Sequence, residues 1–174
     1  PWIEPLRAQA AGAAGRDPRP QLEAAAASWP DDAKVVTALV VHLLGTGEAR
    51  AADAYLRQTA RARRRGVELA KIDEAVAALV RRPPAIDLVL EAPAPIVAAG
   101  ARWLLREAER DLAFLARPPL PGALPHANRL ERARSRLDAI DRLAPDGETR
   151  GRVQLARARL EGPETAGGAA AAEA

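Results

Sequence analysis

Cysteine is absent from the chain. Disulfides, thiolate zinc sites and cysteine nucleophiles are therefore excluded outright. Methionine is absent too, and the chain opens on Pro1-Trp2. That opening suggests a processed chain or an excised segment of a longer protein. Aromatic residues make up 3% of the sequence, and histidine occurs only at His42 and His126. Two histidines this far apart, with no cysteine to join them, make a poor metal site, and the sequence implies no cofactor. No run of about 18 apolar residues occurs, so nothing in the sequence reads as a membrane span. Valine and isoleucine are sparse, and no stretch shows the β-branched alternation of a strand.

What is present favours helix. About a quarter of the 174 residues are alanine, and leucine and arginine are abundant; all three are strong helix formers. Of the 26 basic residues only Lys34 and Lys71 are lysine, so arginine supplies nearly all the positive charge. The net charge of +3 is mild for this length and does not by itself call for a nucleic-acid partner. Heavy use of Arg, Ala and Pro fits a high-GC bacterial source. The expected compartment is the bacterial cytoplasm, although a processed, exported chain fits the same composition.

Hydrophobic spacing divides the chain into helices. Asp17-Pro18 is a start signal for a helix carrying Leu22, Ala25, Ala26 and Trp29, ended by Pro30. Asp31 or Asp32 caps the next helix, whose Val35, Val36, Leu39, Val40, Leu43 and Leu44 form one buried face. Gly45 and Gly47 stop it. A partner helix begins at Glu48 with Ala49, Ala52, Tyr55, Leu56 and Thr59 in phase, and runs into Arg61–Arg65. A further helix carries Leu69, Ile72, Val76, Leu79 and Val80 and stops at Arg81-Arg82, before Pro83-Pro84. Residues 83–95 are readable either as a short helix or as an extended segment. A long helix after Pro95 carries Ile96, Gly100, Trp103, Leu104, Ala108, Leu112 and Leu115. The proline-rich segment 118–125 is a loop. Two last helices carry Leu130, Ala133, Leu137 and Ile140, then Val153, Ala156 and Leu160, around the turn Pro145-Asp146-Gly147. The expected organisation is a leader or short helix over 1–16, a helical domain over 17–161, and a flexible Ala/Gly tail over 162–174.

Gly45-Thr46-Gly47 raises the question of a phosphate loop. Such a loop follows a strand and leads into Lys-Ser/Thr. Here a helix precedes the turn and Glu48 follows it, so the segment reads as a helix-to-helix connector. Other polar groups also read most simply as structure. Glu107 and Asp111 sit four apart on an arginine-rich helix and read as ordinary surface charges. Asp138 precedes Arg142 by four, the spacing of a helical ion pair. Ser28 and Ser135 lack a nucleophile-elbow context. His42 reads as a packed or groove-lining side chain, and Trp29 and Trp103 as packing residues. No catalytic constellation emerges, so the chain is expected not to be an enzyme.

The unit over residues 30–64 has a definite grammar. Pro30-Asp31-Asp32 precedes a helix with Leu39 and Leu43 on its buried side; a glycine turn follows, then small Ala52 and large Leu56. This resembles a tetratricopeptide repeat, whose period is about 34 residues. A partial match runs over 133–147. The resemblance implies an all-α fold of stacked antiparallel hairpins, either an α-solenoid or an irregular helical bundle. It implies a non-enzymatic scaffold that binds a protein or peptide partner. The first helix of each pair would line the groove, which places Lys34, Thr37 and Val41 there. The carboxylate clamp of some members uses Lys with Asn, and Asn is missing at these positions. Arg61, Arg64 and Arg65 in the densest basic run are added as partner-binding candidates. The rival expectation is polyanion or nucleic-acid binding through Arg129, Arg132, Arg134, Arg136, Arg142, Arg150, Arg152, Arg157 and Arg159 of the last two helices.

Overall fold

A computed structural model describes residues 17–60, 66–116, 127–143 and 145–161. The leader over 1–16, Arg61, Arg64 and Arg65, the proline-rich segment 118–125 and the tail over 162–174 lie outside the described residues. Every regular element among those described is a helix: α1 (Arg19–Ser28), α2 (Ala33–Thr46), α3 (Ala49–Ala60), α4 (Val67–Val80), α5 (Ile86–Leu90), α6 (Ala94–Leu115), α7 (Ala127–Arg142) and α8 (Gly147–Glu161). The protein is all-α over these residues. None of these helices is long and apolar enough to cross a membrane.

Local chemistry sets the helix ends. The Asp17 carboxylate accepts the Arg19 N–H at 3.0 Å, and the Pro18 carbonyl accepts from Leu22, so α1 begins one residue later than the Asp-Pro signal suggests. Asp32, not Asp31, caps α2: its Oδ1 accepts from the N–H groups of Lys34 and Val35. At the other end α2 runs through Gly45 to Thr46. Gly47 then adopts φ 91°, a left-handed conformation that a Cβ disfavours. The Glu48 N–H reaches back to Leu43 O and the Gly47 N–H to Leu44 O, the paired bonds of a Schellman turn. The Glu48 carboxylate accepts from Arg19 at 2.8 and 3.0 Å and from the Thr46 hydroxyl. The Gly-Thr-Gly break is thus a connector held by an ion pair, with a carboxylate where a phosphate would need donors.

Each apolar stripe expected from the spacing faces inward. The six stripe residues of α2 are all buried, as are Leu69, Ile72, Val76 and Leu79 of α4 and Ile96, Leu104, Ala108 and Leu112 of α6. Residues 83–95 resolve into the five-residue α5, a short turn and the start of α6. The Arg82–Pro83 bond is cis.

Helix α6 organises the packing. At 22 residues it is about 33 Å long, and it packs against α2, α4, α5, α7 and α8. In a one-dimensional stack each unit touches only its neighbours. Contact between α2 and α6, four helices apart in the chain, closes the array around a central helix. Gly100 makes one of these contacts: a Cβ there would stand 3.0 Å from Leu79 Cδ1. The missing side chain lets α6 lie close to the end of α4.

Candidate functional site

Leu79, which Gly100 approaches, is also among the residues that line a cleft of about 430 Å³. Arg50 of α3 stands on its wall. Leu79 and Val80 end α4, and Arg81, Arg82, Pro83 and Pro84 follow; Trp103 and Glu107 come from α6, and Glu131, Arg132, Ser135 and Arg136 from α7. Five arginines and two glutamates therefore surround an apolar base. Trp103 is 8% exposed, so its ring is mostly committed to the core. The segment after α4 folds back because the Ala85 N–H donates to Ala78 O at 3.1 Å, which holds Arg81 and Arg82 at the rim.

The arginines fall into two groups. Arg129, Arg132 and Arg136 form an i, i+3, i+7 stripe on α7. They meet Glu107, Asp111 and Phe114, an i, i+4, i+7 stripe on α6. Asp111 is only 5% exposed. Its carboxylate is within 3.4 Å of Arg129 and 3.3 Å of Arg132, and Arg136 Nη1 donates to its other oxygen. Arg136 also donates to the Glu107 carbonyl at 3.2 Å and approaches its carboxylate at 3.6 Å. The Arg129 guanidinium lies 3.6 Å above the Phe114 ring centre, a cation–π arrangement. A buried carboxylate without such partners would be costly. Glu107 and Asp111 are therefore not ordinary surface charges: they fix the inner wall of the cleft, and Glu107 also takes Arg110 at 2.6 Å.

Arg50, Arg81 and Arg82 are exposed and make no hydrogen bond or ion pair with the described residues. Arg81 and Arg82 follow the C-terminus of α4, where positive charge also suits the helix dipole. Their side chains remain available at the rim.

Of the other arginines of the last two helices, Arg142, Arg152 and Arg157 are paired with carboxylates, and Arg150 donates to the Pro145 carbonyl. Arg142 donates to Asp87 of α5, so the expected Asp138–Arg142 pair gives way to a tertiary one. Asp138 and Asp141 instead hold Arg157, at 2.8 and 2.6 Å. Arg152 binds Glu109 through a two-oxygen contact at 2.7 and 2.9 Å. Arg57, beside the basic run, pairs with Asp53. Arg134 and Arg159 are exposed.

Lys34, Thr37 and Val41 lie along one stripe of α2. Lys34 is exposed and the other two are half-buried, with Val41 packed against the core. None of them lines the arginine cleft. They also stay clear of a second, mainly apolar hollow of about 360 Å³ between Leu90, Val97, Ala101 and Leu143. His42 is half-buried, with Nε2 3.6 Å from Asp17. Among the described residues no three metal-ligating side chains converge. Sequence spacing thus missed Arg50, Arg81, Arg82 and Trp103 as a group. The one signal for them was the basic pair that ends α4, which doubles as a helix stop. Comparison of the chain with known protein families, curated proteins and solved structures finds no match.

Proposed function

We propose that the chain is a helical adaptor that binds a protein or peptide partner, with the arginine cleft between α3, α4, α6 and α7 as its contact surface. One observation carries this reading: three arginines without a partner among the described residues stand at the rim of a concave site with an apolar base and an inner wall fixed by ion pairs. Protein contacts are commonly built this way, with apolar and arginine anchors ringed by polar groups. The likeness of residues 30–64 to a tetratricopeptide repeat supports the same class. In support of that likeness, α2 packs on α3, α3 on α4 and α2 on α4, the neighbour pattern of stacked hairpins. The partner surface proposed is the cleft and not the α2 stripe, because the cleft is concave and carries three arginines without a partner among the described residues.

Polyanion binding through α7 and α8 has weaker support. Arg129, Arg132, Arg136, Arg142, Arg152 and Arg157 already face carboxylates. A basic surface compensated in this way presents little net field to a phosphate backbone.

The test is affinity capture from a lysate of the source cell at near-physiological salt, with and without nuclease, using the wild-type chain and an Arg81→Glu/Arg82→Glu variant. The reading expects a discrete protein that survives nuclease and is lost with the variant. Recovery that collapses with nuclease overturns it in favour of nucleic acid.

A further inference from the structure

We infer that the cleft accepts a short peptide segment in which an acidic residue stands beside an apolar one. The inference rests on the adaptor reading and specifies the chemistry of the partner.

The walls define two subsites. Arg50, Arg81 and Arg82 offer guanidinium forks that no carboxylate among the described residues occupies. A planar fork matches a carboxylate through two parallel hydrogen bonds. At the base, Val80 and the Pro83-Pro84 turn offer the apolar surface, over the buried Leu79 and the small uncovered part of Trp103. A ligand with charge alone would leave that base wet, and one with apolar groups alone would leave the guanidinium groups unused.

Nucleic acid fits this site poorly. Glu131 stands exposed among the lining residues, and Glu107 lies deeper. Their charge opposes a chain of phosphates far more than it opposes a single carboxylate. A single strand would also need open aromatic faces for stacking, and Trp103 is turned into the core. Rigidity favours binding as well. Arg132 and Arg136 are anchored on Asp111, so the inner wall loses little side-chain freedom when a ligand arrives.

Four probes test the inference by fluorescence polarisation against the full chain. They are a dye-labelled octapeptide alternating Glu and Leu, the same peptide with Gln for Glu, the same peptide with Ser for Leu, and a thymidine oligonucleotide of similar length. The Glu/Leu peptide is expected to bind at least about tenfold more tightly than the other three. The Arg81→Glu/Arg82→Glu variant is expected to lose about tenfold or more of that affinity. An Arg134→Glu/Arg159→Glu variant, changed at exposed positions outside the cleft, should stay within about twofold of wild type. Circular dichroism checks that each variant keeps its helix content. The inference is overturned if the Glu/Leu peptide fails to bind, if the Ser peptide binds as well, if the oligonucleotide binds more tightly, or if both double variants lose affinity equally. A nuclease-resistant partner in the lysate capture, together with peptide failure, would sink this inference alone. Failure of both experiments would sink the adaptor reading as well.

Discussion

The carboxylate of Asp111 on α6 lies buried against the guanidinium of Arg136 on α7, and Arg129 and Arg132 crowd the same carboxylate. The relationship joins stability to the candidate site, because Arg132 and Arg136 form the inner wall of the cleft. Removing the carboxylate alone leaves three guanidinium groups in mutual repulsion. Asp111→Leu should therefore cost about 3 kcal/mol in urea unfolding. The double variant Asp111→Leu/Arg136→Leu should be destabilised by less than the sum of its single changes, by more than about 1 kcal/mol. Additive losses would mean that the two residues do not act as a pair.

The two glycines of the Gly45-Thr46-Gly47 break should respond with opposite signs. Gly47 has a φ of 91°, and alanine there should cost about 1–2 kcal/mol whatever the space around it. Gly45 lies inside α2, with no atom within 4 Å of where a Cβ would stand. Alanine there should stabilise by roughly 0.5–1 kcal/mol. Thermal unfolding of both variants tests the pair. Equal losses would contradict the assignment of the helix end.

The start of α8 should carry an acid-range dependence. Asp146 accepts the Thr149 backbone N–H at 2.7 Å. That bond, a side-chain bond from Thr149 and the nearby Arg102 guanidinium hold its carboxyl below the usual carboxylate range. A depressed folded-state value stabilises above the unfolded aspartate value of about 3.9, and the contribution fades as pH falls through the folded-state value. The gap in denaturation midpoint between wild type and Asp146→Ala should hold steady from about pH 7 to 5 and close at lower pH. A gap unchanged at about pH 2 would contradict the cap.

Much of the fold is legible because it is local. The α2 stripe repeats every three or four residues, and all six of its members are buried. Asp32, one of the two aspartates the sequence offers as a cap, and Asp146, which the sequence marks only as part of a turn, both hold helix starts by short-range bonds. The site is another matter. Whether Asp111 is a surface charge or a buried anchor depends on Arg129, Arg132 and Arg136, which lie 18 to 25 residues further along the chain. Arg142 passes over the aspartate one turn away for Asp87, 55 residues distant. Helical spacing announces no such pairing. Arg81-Arg82 reads as punctuation because an arginine pair before Pro83-Pro84 suits a helix stop whether or not it also lines a cleft. Helix α5 has only five residues, too few to establish a period.

Site-specific photo-crosslinking tests the central claim most directly. A photo-reactive amino acid replaces Ser135 inside the cleft, or Ala158 on the exposed face of α8 as a control. The source-cell lysate is irradiated, and the adducts are identified by mass spectrometry. A protein adduct from position 135, absent from position 158 and lost when Arg81→Glu/Arg82→Glu is added, is the predicted result. Nucleic-acid adducts at position 135, or a protein adduct at position 158 alone, would contradict the claim that the arginine cleft is the partner surface.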